Sequence, residues 1–198
     1  MPPAISTFAV NSNKTYTPLQ NFHFNLSSVD PEHQDTAHVH QALLDPTGQY
    51  LLFPDLGADL VHVYCASPQT NMLIEHAPLK SKSGYGPRHA VFWSPEHDPE
   101  SVFLFVIHEL SNKIVSYAVD YLPAGGLAFY EVDEVSTFGD REIPTKDAAA
   151  SEITVVRNRS SSSHVIVRYA NTNTDTRQQV RDCCESISSN IQPDEPGS

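Results

Sequence analysis

Short apolar runs, many of them alternating with polar residues, recur along the chain, and each is closed by Pro, Gly, Asn, Asp or Ser. Alternation with period two marks half-buried strands, and brief unbroken apolar runs between turn formers mark buried ones. The pattern predicts strands over 5–10, 41–44, 49–53, 60–65, 72–75, 90–93, 102–107, 114–119, 127–132, 153–156 and 165–169. Only 177–187 carries a weak helical pattern. Asp45-Pro46-Thr47-Gly48 places Pro second and Gly fourth, the preferences of a type I turn, so 41–44 and 49–53 are expected to form a tight hairpin.

The strands recur as a unit. His40-Gln41-Ala42-Leu43-Leu44-Asp45-Pro46 is echoed by Arg88-His89-Ala90-Val91-Phe92-Trp93-Ser94-Pro95, and more faintly by Ser151-Glu152-Ile153-Thr154-Val155. Each echo passes from polar groups into an apolar strand and is followed by a second one. The spacing is 48 residues from His40 to Arg88 and 63 from there to Ser151, with insertions near 96–100 and 133–147. Three or four antiparallel strands repeating at this interval are the signature of β-propeller blades. A two-sheet sandwich also alternates strands and turns, so pattern alone leaves both all-β architectures open.

Charge narrows the partners. With 24 acidic against 12 basic side chains and a net charge of −12, the chain lacks the clustered cations that a nucleic acid or an acidic membrane surface requires. Cys65, Cys183 and Cys184 cannot build a disulfide framework. The first residues lack a basic segment followed by an apolar core, and no run approaches a bilayer span, so the compartment stays open: cytoplasmic as the sequence is written, secreted if upstream sequence is missing. The sequons at Asn13, Asn25 and Asn158 would suit a secreted chain, but such triplets also arise by chance.

The run from His38 to Tyr64, HVHQALLDPTGQYLLFPDLGADLVHVY, closely resembles the lactonase-type seven-bladed β-propeller family, which includes 6-phosphogluconolactonase and carboxy-cis,cis-muconate cyclase. Gly86-Pro87-Arg88-His89-Ala90, His108-Glu109-Leu110-Ser111-Asn112 and Ala150-Ser151-Glu152-Ile153 match in the family's order. The resemblance implies a partial propeller over 1–171, with blades starting near 38, 87 and 150 and an incomplete blade before them. Residues 172–198 read as a polar tail outside the family pattern. Seven blades at about 50 residues each would take about 350 residues, so three to four are expected here. Unclosed blades also predict self-association through open sheet edges.

By the same resemblance, His40, Arg88 and Glu109 fall at catalytic positions. Opening a lactone, a cyclic ester, takes a base to activate water, a cation for the anionic group or oxyanion, and an acid for the leaving alkoxide. His40 titrates near neutrality, and Arg88 offers a planar fork to carboxylate or phosphate. Glu109 can transfer a proton or hold Arg88 or His40 in place. Hydrolysis of an anionic sugar lactone leads, without cofactor or metal. Lactone formation from a muconate-type carboxylate, or an inactive binding scaffold, are the alternatives. The family's Asn-Arg pair after the third blade's second strand is missing, and Arg168 is the candidate substitute for substrate binding. His38 is a second candidate, because His38 and His40 share one face of an extended chain; that spacing also occurs in metal sites, for which no third ligand is evident. Asp55 and Asp59 read as turn residues around Gly57, and Glu152 as packing at a blade start.

Overall fold

The computed structural model describes residues 4–24, 30–95, 98, 100–139, 148–157 and 165–171, with 156, 157 and 165–171 described by their backbone alone. The weak helix over 177–187 and the polar tail lie outside the described residues. All regular structure among the described residues is β-strand, twelve strands in four antiparallel sheets.

Two sheets are complete four-stranded meanders. The first runs β3 (Leu43–Leu44), β4 (Tyr50–Asp55), β5 (Leu60–Ala66), β6 (Leu73–Lys80); the second runs β7 (Pro87–Trp93), β8 (Val102–His108), β9 (Lys113–Tyr121), β10 (Leu127–Ser136). A hairpin of β1 (Ala4–Val10) and β2 (Tyr16–His23) precedes them, and a pair of β11 (Ala150–Arg157) and β12 (Val165–Asn171) follows. The sheets stack face to face as propeller blades, and alternation along β8 shows how. Val102, Leu104 and Val106 join Leu52, Val61 and Val63 in the core between the two complete blades. Phe103, Phe105 and Ile107 point the other way, against Ala150 and Ile153 of the next blade. A strand buried on both faces reads as a continuous apolar run, which is why Val102–His108 carries no polar alternation.

The hairpin turn at Asp45 is present as expected: Gly48 donates to the Asp45 carbonyl at 3.0 Å with φ 73°. β2 carries no sequence signal for a strand, and β6 and β10 run on to Lys80 and Ser136, well past their predicted ends. These are outermost strands, β2 mostly exposed and β6 and β10 only partly buried, with Pro18 in β2 and Pro78 in β6. A proline is tolerated there because its missing N–H faces no further strand. β2 is secured by Gln20, whose amide donates to the Leu73 carbonyl at 3.0 Å and accepts from the Leu73 N–H at 2.7 Å.

Candidate active site

The starts of successive blades share one irregularity. Pro87 pairs with His108 and His89 with Ile107, which leaves Arg88 as a bulge; Ala150 pairs with Asn171 and Glu152 with Ala170, which leaves Ser151 in the same place. In the first blade Val39 bridges Asp55 and Leu43 pairs with Leu52, again one residue more on the inner strand. Bulges re-aim side chains at sheet margins. His40, Arg88 and Ser151 thus occupy equivalent points on three neighbouring blades.

Backbone bonds fix the equivalence. The Leu56 N–H donates to the His38 carbonyl at 3.0 Å, and the Glu109 N–H donates to the Gly86 carbonyl at 2.8 Å. Arg88 donates from Nη1 to Glu109 Oε2 and from Nε to the Ser151 carbonyl at 3.1 Å. Its Nη2 has no protein partner among the described residues. The Arg88 and Glu109 side chains are 23% and 21% exposed, sheltered from bulk water but reachable by a small molecule. His40 stands beside them and stays open to solvent, its ring edge-on to that of His89 at 6.2 Å between centroids. Desolvation and the Arg88 charge hold the His40 pKa below its ordinary value, against a smaller opposing pull from Glu109.

His38 is directed elsewhere: its ring lies 3.1 Å from Asp35 Oδ1, and its N–H donates to Asp55 Oδ1 at 2.7 Å. Arg168 pairs with Thr154, three residues before Asn171, or about 10 Å of extended strand from that end; its side chain lies outside the described residues. The register instead aligns Asn171 with Asp55 and His108 at the ends of the second strands of successive blades. Glu152 is exposed, with Oε2 at 3.2 Å from His89 Nδ1. Among the described residues no three His, Cys, Asp or Glu side chains gather as a metal site.

The sequence reading underrates the two aspartates. Asp55 is fully buried: Oδ1 accepts from the N–H groups of His38, Gly57 and Ala58 at 2.7–3.2 Å, and Oδ2 lies 3.1 Å from His62 Nε2. Asp59 reaches into the next blade, accepting from the Gly84 and Gly86 N–H groups at 2.7 and 2.8 Å. The signal for both is their place in equivalent turns, Asp55 matching His108 and Asp59 matching Asn112, all four buried.

Comparisons with known proteins identify the family and the fold. A sequence model of the family described as Lactonase, 7-bladed beta-propeller matches residues 3–170. A probable 6-phosphogluconolactonase of Arthroderma benhamiae is 34% identical over 137 residues, 68% of this chain and 34% of that protein. The 6-phosphogluconolactonase of Bacillus subtilis is 30% identical over 123 residues, 62% of this chain and 32% of its own length. The chain therefore spans about a third of the length of these curated relatives. A solved structure of a Lactobacillus plantarum protein is similar with a TM-score of 0.65 at 27% identity, over 85% of this chain and 45% of that one. The periplasmic gluconolactonase of Pseudomonas aeruginosa shares the fold, with a TM-score of 0.63 at 23% identity over 85% and 44% of the two chains.

Proposed function

We propose that this chain, which belongs to the seven-bladed β-propeller lactonase family, carries the proton-transfer and anion-holding groups of a site that hydrolyses an anionic sugar lactone. The observation that carries the reading is the placement of a neutral-leaning His40 beside an Arg88 whose Nη2 edge is left open by Glu109 and Ser151. The relatives described as 6-phosphogluconolactonases support the substrate class.

In this reading His40 takes a proton from water as the water oxygen attacks the lactone carbonyl carbon. The tetrahedral oxyanion collapses, the ring C–O bond breaks, and protonated His40 returns its proton to the departing alkoxide. Lactone plus water gives hydroxy acid, with the histidine unchanged. Arg88 holds the substrate's phosphate or carboxylate through Nη2, and Glu109 fixes the guanidinium plane for that contact. His38, engaged with Asp35, and Arg168, set back along its strand, are left outside the set.

The test is acid release in a pH-stat from 6-phosphogluconolactone, compared with His40→Gln and Arg88→Met variants. Hydrolysis that survives both substitutions at the parent rate overturns the assignment. Consumption of carboxymuconate, read as loss of its ultraviolet diene absorbance without lactone hydrolysis, would replace it with the lactone-forming reading.

A further inference from the structure

We propose that Asp59 is a positioning residue for the Arg88 anion site, acting across the blade boundary through the Gly86 peptide. The inference rests on the lactonase reading of Arg88 given above. Asp59 sits in the turn between β4 and β5 with φ 53°, and it is 9% exposed. Its carboxylate accepts the N–H groups of Gly84 and Gly86, one on each oxygen, and its own carbonyl accepts the Ser81 N–H at 2.9 Å. Both loop groups that face it are donors, so an acceptor-only side chain is the one that satisfies them.

Gly86 is thereby held at both ends. Its N–H is bound by Asp59 and its carbonyl by the Glu109 N–H at 2.8 Å. Its φ of 65° and the 2.7 Å approach of the Leu110 side chain to where a Cβ would stand favour glycine here, since any other residue would be strained and would have to displace Leu110. Two residues on is Arg88, and the partner that donates to Gly86 is the residue that takes Arg88 Nη1. One residue, held through both of its backbone polar groups, therefore sets the position of both members of the ion pair.

The next blade boundary has the same device with reversed polarity. Asn112, φ 54° and 4% exposed, donates from Nδ2 to the Ala148 carbonyl at 2.7 Å, and its carbonyl accepts the Thr137 N–H at 2.9 Å. There the segment leading into the next blade presents an acceptor, the Ala148 carbonyl, and the turn residue is a donor. The contrast shows that the side chain at this point is matched to the segment it holds.

The experiment compares Asp59→Asn and Asp59→Gly with Arg88→Met in the protein, using 6-phosphogluconolactone and neutral gluconolactone. Asparagine sets an NH2 group against a backbone N–H, whereas glycine suits the positive φ and deletes only the carboxylate. Both Asp59 variants are expected to raise KM for the anionic lactone about tenfold, with kcat/KM for the neutral lactone within about twofold of the parent. Equal losses on both substrates, or failure of both variants to fold, would reduce Asp59 to a structural clamp and overturn the inference. If Arg88→Met leaves the preference for the anionic lactone intact, the reading of Arg88 fails first. If Arg88→Met removes that preference and the Asp59 variants keep it, the positioning role alone fails.

Discussion

Arg88 and Glu109 meet at the start of one blade, while the same guanidinium reaches the Ser151 carbonyl of the next blade. A side chain on a bulge thus joins two blades and still keeps one edge open. The ion pair is only about a fifth exposed, so the cost of desolvating both charges offsets much of their attraction, and a glutamine at 109 can still accept from the guanidinium, which leaves a net loss of about 1 kcal/mol. Glu109→Gln is accordingly expected to move the melting temperature by no more than about 5 °C. Activity on an anionic lactone should fall about tenfold or more, because the guanidinium plane is no longer fixed. Thermal melts and initial rates on one preparation check this, and a large melting shift with unchanged activity would make the pair structural.

Besides desolvation, which comes first, the two largest charge effects on the depressed His40 pKa have opposite sign, Arg88 lowering it and Glu109 raising it, with His89 and His38 adding smaller downward pulls. Removing the cation in Arg88→Met should therefore raise the His40 pKa, and removing the anion in Glu109→Gln should lower it further. Titration of the His40 ring proton by NMR reads this without relying on turnover. A pKa that moves in the same direction in both variants would contradict the arrangement.

His108 ends β8 fully buried, with Nε2 at 3.0 Å from Ser81 Oγ and its ring edge-on to Tyr85. Burial pushes its pKa down to about 4 from 6.5. The folded protein then binds fewer protons than the unfolded chain between those values, so stability is lost as pH falls from about 6.5 to about 4 and levels off below, a total of about 3 kcal/mol. Asp45 and Glu134, whose pKa values are held below the ordinary carboxylate range, add their own loss from about pH 4.5 downward. His108→Gln keeps a polar partner for Ser81 and cannot titrate. Urea midpoints at pH 7 and pH 5 should therefore differ less in the variant than in the parent.

How legible this was in the sequence differs from strand to strand. Val102–His108 announces itself because burial on both faces demands an unbroken apolar run. The 48-residue echo from His40 to Arg88 marks two equivalent bulges. Tyr16–His23 stayed silent because an outermost strand needs little apolar surface and tolerates Pro18, so local composition does not betray it. Asp59 is the turn residue its sequence suggests, but its cross-blade role was hidden because its partners, Gly84 and Gly86, lie a blade away, and a bond across 25 to 27 residues leaves no local pattern.

Gly57 and Gly48 make a last, sharper contrast. A Cβ at Gly57 would stand 1.8 Å from the Thr36 carbonyl oxygen, whereas one at Gly48 would meet nothing within 4 Å. The strap from Gln34 to His40 is seated on this turn: the Gln34 amide donates to the Leu56 carbonyl at 2.8 Å, and Leu56 in turn donates to His38. Gly48→Ala carries only the strain of a left-handed backbone, about 1 kcal/mol. Gly57→Ala must drive the strap backbone away from the turn, which should cost about 3 kcal/mol or more and carry His40 out of register with Arg88. Urea unfolding and lactone hydrolysis of the two variants measure both effects. Equal stability losses, or a Gly57→Ala protein with parental activity, would mean that the strap can step back without disturbing the site.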